Sequence, residues 1–530
     1  VLILKKRGLE NMKNVLGREI PDRIKGFNEI KLYKGEFAYI PSQMNIPRKI
    51  RFNIPQANKI LSSIDEAIEK TGLKDGMTIS FHHHLRNGDF IMKMVVERIA
   101  SKGIKDITIA SSSLSPCQDF LIEYIKNGTI TALETSGLRG ELGKFLSAHP
   151  TALKKPVIIR SHGGRARAIE TGELHIDVAF MGVPTCDYRG NCTGRIGKSA
   201  FGSMGYVMID TAYADNVVVI TDNLVKESVF PYSVPQSCVD YIVVVDAIGD
   251  PKGIASGVIR VTKNPTQLIL AKYAVELMEK SGYLKNGFSM QMGGGGASLA
   301  ACQYVREKME DKEIKGSFGV GGITGIFADM LKNGLFEAAY DAQTFDIPAI
   351  HSLAVNPRHM EMSASMYANP WNSSPIVNYL DVVFLSATEV DLDFNVNAIT
   401  DSNGICMGAS GGHSDAAAGA KLTIIMCPLI RGRLPMIRDH VQTVVTPGDS
   451  IDAIVTDRGI AINPKRKDLL ERLQHTQLPL KTIQELQEMA YGFVGKPDKI
   501  EVSQDDQDIV AVVEYRDGSI LDVIRKPILD

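Results

Sequence analysis

After Pro55 the hydrophobic positions fall into two alternating rhythms. From Asn58 to Thr71, Ile60, Ile64, Ala67 and Ile68 share one face at helical spacing. LKDGMTISF then predicts a turn and a strand, FIMKMVVERIASKG a helix closed by Gly103, and KDITIASSSL another strand. Strands separated by helices pack as a largely parallel sheet, so the expected class is α/β. Residues 1 to about 50 lack this rhythm. They are polar and turn-forming, with Pro21, Pro41 and Pro47, and predict an extension lying on a neighbour. Near the other end, IVAVVEYRDGSILDVIRK predicts a hairpin about Asp517-Gly518 that packs on the second domain.

The pattern repeats. LKDGMTISFHHH at Leu73 resembles LKNGFSMQMGGG at Leu284, displaced by 211 positions. FLIEYIKNGTITALETSG resembles IFADMLKNGLFEAAYDAQT, and Asn127-Gly128 matches Asn333-Gly334 at a displacement of 206. Two matches in the same order at nearly equal displacement predict two copies of one α/β domain meeting near residues 260 to 280. The expected layout is an extension (1–50), a first domain (51–265) and a second domain with the hairpin (266–530). Tandem copies set equivalent strand ends face to face, and a cleft between such ends is a usual ligand site.

Composition narrows the function. The chain has 530 residues, 44% apolar and 23% charged, which suits a folded protein with sizeable cores. Its net charge of −2 gives no basic excess for nucleic acid. No apolar run reaches the length of a membrane span. Seven cysteines without a CxxC pair read as reduced thiols in the cytoplasm. The opening VLILKKRGLENMK lacks the order of a signal peptide, and Met12 is the expected natural start.

Gly293 to Gly296 lie between an apolar segment and a helical pattern, where backbone N–H groups can meet an anion or a developing oxyanion. The run is not a GxGxxG, because the spacing fails at Ser298, so a nicotinamide oxidoreductase is disfavoured. GASGGHSDAAAGA, from Gly408, is a second glycine cluster, with Gly411 and Gly412 before a helix. FGVGGITG, from Phe318, reads as a third strand-to-helix turn, more structural than catalytic. His82, His83 and His84 suggest metal. Alternation along a strand lets only His82 and His84 share a face, and no carboxylate cluster is nearby, so no metal site is expected. His83, His84 and Arg86 instead occupy the place of the Gly293 loop in the other copy and could meet carboxylates. Arg165, beside Gly163-Gly164, offers a planar fork suited to the same groups.

These stretches carry a resemblance. VNAITDSNGICMGASGGHSDAAAGAKL and HVQTVVTPGDSIDAIVTDRGIAINP resemble the second domain of CoA transferases. SFHHHLRNGD, SHGGRARAIETGELHIDVAFMGVPTCDYRGNCTG and MQMGGGGAS resemble the α chain of citrate lyase, over roughly Pro41 to Pro464. The resemblance implies two tandem CoA-transferase-like (NagB/RpiA-like) domains with the site between them. It also carries a departure. Many relatives read VDLxGQVNAE, ending on a covalent glutamate, whereas this chain reads VDLDFNVNAI, ending on Ile399. Isoleucine cannot form an acyl anhydride, so a glutamyl-thioester at this position is excluded.

What the resemblance implies is direct exchange: acetyl-S-carrier plus citrate gives citryl-S-carrier plus acetate. Gly294, Gly295 and Gly296 would be backbone donors. His83, His84, Arg86 and Arg165 would hold citrate, and Gly293, Gly408, Gly411, Gly412 and His413 would line the thioester and its pantetheine arm. The thiol belongs to the phosphoribosyl-dephospho-CoA group of the acyl carrier protein (the γ subunit), with acetyl-CoA as a surrogate, and no cofactor is held by this chain. The β subunit would cleave citryl-S-carrier. Two alternatives stay open: a CoA transferase for a related acid such as citramalate, and a non-catalytic scaffold of the complex.

Overall fold

In the computed structural model the described residues are 11–36, 38, 58–254, 262–293 and 295–528. Ser63 accepts from the Glu66 N–H and starts the helix Ile64–Lys70, which buries Ile64, Ala67 and Ile68. Ile60 lies outside it, in a short edge strand paired with Ile242. The helix Ile91–Ser101 ends just before Gly103, whose φ of +74° supplies the left-handed turn.

Two large sheets organise the chain. From one end, seven strands of the first are Val157–Ile159, Ile130–Thr135, Ile107–Ser111, Thr78–Phe81, Val178–Val183, Asn216–Thr221 and Tyr241–Val244. The second runs His359–Glu361, Phe336–Thr344, Gly316–Ile323, Met290–Met292, Val382–Ser386, Leu422–Met426 and Ala453–Thr456. Strand order along the chain is the same in both, and each of these neighbours is parallel. Ile79 pairs with Val178, and Met290, 211 positions on, pairs with Val382. One buried apolar cluster fills the first half and continues through Val320, Leu385 and Ile399 of the second. A separate cluster covers the rest of the second sheet.

The hairpin forms, as Ile509–Glu514 against Ile520–Arg525, but it does not extend the second sheet. Ala511 to Val513 pair in parallel with Val157 to Ile159 and extend the first sheet. Burial explains the choice. The strand Ile509–Glu514 is buried throughout, and its Glu514 receives the buried Arg160 guanidinium at 2.6 Å. The expected second domain therefore ends before the hairpin. The N-terminal segment lies on this same hairpin: Ile20 and Ile24 pack on Ile509, Val512 and Ile520, and Tyr33 meets Tyr515 edge to face. Among the described residues no helix is long and apolar enough to cross a membrane.

Candidate functional site

The C-terminal ends of both parallel sheets open onto one cleft of about 630 Å³. His83, Ser113, Ser136 and His162 follow four successive strand ends of the first sheet. Gly293, Phe345 and Ser386 stand at the matching ends of the second. The loop after Ile399 closes one side. Ala409 bridges to Gly137, and the Ser410 N–H donates to the Ser136 carbonyl at 2.7 Å.

No Asp or Glu lines this cleft among the described residues. The undescribed internal segments 39–57 and 255–261 contain none either. Two arginines do line it. Arg86, held at φ +50°, lays its guanidinium 4.2 Å from the Phe345 ring centre, and burial with Arg139 nearby pushes it down to about 10. Arg139 donates to Ser113 Oγ at 3.1 Å and the Leu114 carbonyl at 3.2 Å, and burial lowers it too. Neither has a carboxylate partner among the described residues. A half-buried cation without a counter-ion carries a desolvation cost that an incoming anion offsets.

The histidines are neutral and oriented. The His413 Nε2 lies 3.1 Å from the Ser386 carbonyl and so carries the proton, leaving Nδ1 to accept from Thr446 Oγ1 at 2.6 Å. Burial pushes His413 down to about 4. Ser112 Oγ accepts the His83 backbone N–H at 3.1 Å and sits 2.6 Å from its Nδ1. Donation of the Ser112 proton to Nδ1 puts the ring proton on Nε2. Burial, with His162, His84 and the two arginines, holds His83 well below the usual histidine range.

Several expected site residues lie elsewhere. Arg165 is buried and bidentate to Asp210, at 2.7 and 2.8 Å, with no fork left for a ligand. His84 is fully buried behind the cleft wall, its Nδ1 3.0 Å from the His82 Nδ1 and its ring against Phe201. His82 Nε2 is bound to the Gly182 carbonyl at 2.7 Å, so the histidine run is hydrogen-bonded to the protein and to itself. Gly293 does line the cleft, but its N–H donates to the Phe384 carbonyl at 2.9 Å. Gly294 lies outside the described residues. Gly295, at φ +120°, precedes the helix Gly296–Asp311, and Gly296 faces Gln267 and Thr262.

Gly408, Gly411, Gly412 and His413 do reach the cleft. A Cβ at Gly412 would stand 2.5 Å from the Tyr367 hydroxyl, so the loop can pass only as glycine. The FGVGGITG segment does pass from strand to helix, but its turn lies at Thr324, between the strand Gly316–Ile323 and the helix Gly325–Lys332. Gly321 and Gly322 are inside the strand Gly316–Ile323, at a register shift, and both line the cleft. Arg139 and His162 were not singled out from sequence. Their signal was position: each sits a few residues past a strand end, where the other cleft groups arise.

Ile399 is fully buried. The nearby Glu389 is committed to Arg438 at 3.1 Å and to Asn397 at 3.2 Å, and does not line the cleft. A second hollow of about 700 Å³ lies between the N-terminal hairpin and residues 438–444 and 496–504. Its buried acids are taken up within the fold, Asp391 by Asn395 and Val441 and Asp522 by Arg18 and Val444.

The model of the family "citrate lyase, alpha subunit (CitF)" matches residues 57–527. The chain belongs to the citrate lyase α-subunit family. It is thus an enzyme subunit of the CoA-transferase superfamily. It is 51% identical to the citrate lyase alpha chain of Klebsiella pneumoniae over 468 residues, 88% of this chain and 91% of that one. It is 47% identical to the Escherichia coli alpha chain, over 88% and 91% of the two. A Streptococcus mutans structure, described as an α subunit of citrate lyase in complex with citrate, superposes with a TM-score of 0.93 at 50% identity. That match covers 98% of this chain and all of the other. The α subunit of malonate decarboxylase from Acinetobacter baumannii, 14% identical with a TM-score of 0.61, shares the fold of the citrate lyase α-subunit family.

Proposed function

We propose that this chain exchanges acetate for citrate on a carrier thioester, converting acetyl-S-carrier and citrate to citryl-S-carrier and acetate. The observation that carries this reading is the pair Arg86 and Arg139, uncompensated among the described residues in a cleft that no described carboxylate lines. Such a cleft favours an acid with several carboxylates. An ionised carboxylate on the acid is what the reaction uses, because a citrate carboxylate is the nucleophile and its charge leaves on acetate.

The carboxylate attacks the acetyl carbonyl carbon, a C–O bond forms, and the C–S bond breaks as thiolate leaves. The product is a citryl–acetyl anhydride. The same thiolate then attacks the citryl carbonyl, and the C–O bond to acetate breaks. Thioester replaces thioester, so no nucleotide is needed. The protein positions the reactants and stabilises charge. Arg86, Arg139 and His83 hold the citrate carboxylates, and the loop from Gly408 to His413 lies along the pantetheine arm. The buried Ile399 and the committed Glu389 supply no competing nucleophile.

On this reading the donor in the cell is the phosphoribosyl-dephospho-CoA thioester of the acyl carrier (γ) subunit, and the β subunit cleaves the citryl product. The compartment is the cytoplasm, which suits seven free thiols. The test is to supply purified chain with acetyl-CoA and citrate and measure citryl-CoA and acetate. Equal yields of both support the exchange. Citrate-independent loss of acetyl-CoA, or no turnover, refutes it.

A further inference from the structure

His162 is the first residue of the helix His162–Glu170, and it enters the cleft between the two halves. Its backbone N–H donates to the Gly411 carbonyl of the second half at 2.8 Å. Its ring lies 5.6 Å from His83, nearly parallel, and 4.7 Å from Tyr206. Two aromatic faces and one cross-domain bond fix where the imidazole points.

The two ring nitrogens differ. Nδ1 is buried with no hydrogen-bond partner among the described residues. A proton there would be a buried orphan donor, a costlier state than a bare acceptor. The proton therefore belongs on Nε2. That nitrogen has no hydrogen-bond partner among the described residues either, and it stands beside Gly411, 3.7 Å from where a Cβ would be. Gly411 keeps this space open. Burial, then Arg165, Arg139 and Arg86, push the imidazole down to about 3, so it stays neutral and acts as a donor rather than a base.

We propose that His162 is a catalytic residue whose neutral Nε2–H donates to the thioester oxygen as it gains charge during acyl exchange. The placement favours that oxygen over the citrate carboxylates. His162 borders the glycine loop assigned to the thioester arm, while Arg86 and Arg139 hold the acid. No proton is transferred: the hydrogen bond strengthens as the carbonyl becomes tetrahedral and relaxes as thiolate leaves. Asp415 acts as a positioning residue, since it fixes the start of the helix that carries His162.

This inference rests on the exchange reading above. A wild-type chain inactive with acetyl-CoA and citrate defeats that reading, whereas an active wild type with indifferent His162 variants defeats this inference alone. With His162→Ala we expect kcat to fall about a hundredfold, while citrate Kd by calorimetry stays within about twofold. His162→Gln, which restores an N–H, should recover about tenfold of that loss. Should the alanine variant not fold, the glutamine variant decides by itself, with reduced kcat and unchanged citrate Kd expected. An alanine variant with wild-type kcat overturns the proposal, as does a glutamine variant no faster than alanine, or citrate affinity falling in step with rate. So does a wild-type kcat inflection between pH 5 and 7 that His162→Gln abolishes.

Discussion

Asp415 of the second half accepts the backbone N–H of Gly163 in the first, at 2.8 Å. Its other oxygen takes the Ser161 hydroxyl at 2.8 Å, and Arg516 of the C-terminal hairpin lies 3.7 Å away. A Cβ on Gly163 would stand 2.2 Å from the Ala368 carbonyl oxygen, so the two halves close only over glycine. One fully buried carboxylate thus joins both domains and the hairpin. Asp415→Ala should destabilise the chain by on the order of 3 kcal/mol, because it orphans two donors and removes the carboxylate facing the buried Arg516. Asp415→Asn should lose less, since one amide oxygen still accepts. Denaturant melts of the two variants check this, and equal melts would contradict it.

Arg86 and Arg139 should separate binding from folding. Neither completes an ion pair among the described residues, so removing either strands no described buried carboxylate. Arg86→Ala or Arg139→Ala should raise the citrate KM about ten- to a hundredfold, the worth of a hydrogen bond to a charged group. The melting temperature should hardly change. Arg165→Ala should do the reverse, collapsing stability by stranding Asp210 in the core. Kinetics and melts of the three variants test the contrast.

The buried histidines make the fold acid-sensitive. His82 and His413 are held at about 4 and His162 at about 3, against 6.5 when unfolded. Between those values the unfolded chain binds protons that the native one refuses, so stability falls as pH drops from 6.5 toward 4. Each histidine contributes on the order of 3 kcal/mol to that loss. Asp89, raised to about 6 by burial, and Glu36, raised to about 8 by burial, work in the opposite sense over an overlapping window and together offset about two of them, leaving a net loss. Equilibrium unfolding followed from pH 7 to pH 4 should show cooperative acid denaturation. Constant stability across that range would contradict these assignments.

The hairpin's ion pairs should stabilise the first domain. Arg160 is shared between Glu514 of the hairpin and Glu134 of the neighbouring strand. Glu514→Ala leaves Arg160 with one partner and should lose on the order of 2 kcal/mol. Hydrogen exchange in Val157–Ile159 should accelerate, while Leu422–Met426 of the second sheet keeps its protection. The opposite pattern would place the hairpin on the wrong domain.

The strand and helix rhythm was legible because these periods survive divergence: the stretches at Leu73 and Leu284 lead into Thr78–Phe81 and Met290–Met292, which hold corresponding places in two sheets of the same strand order. The hairpin's location was not. Asp517-Gly518 announces a turn, whereas the edge it joins depends on Arg160 and Val157, each 354 residues before its partner in the hairpin. Arginines divided the same way. Arg86 and Arg165 look alike in sequence, and only Asp210, brought close by the fold, separates a cleft-lining cation from a structural one. Gly321 and Gly322 read as a turn because glycine pairs mark turns, yet here they are a strand bulge on the cleft.

The central claim is that citrate's own carboxylate, and no protein carboxylate, attacks the thioester. A single turnover with purified chain, acetyl-CoA and citrate labelled with heavy oxygen in its carboxylates tests this directly. Direct attack predicts that the first acetate released carries one citrate oxygen. First-turnover acetate without label, its new oxygen taken from the protein or from water, would contradict the account.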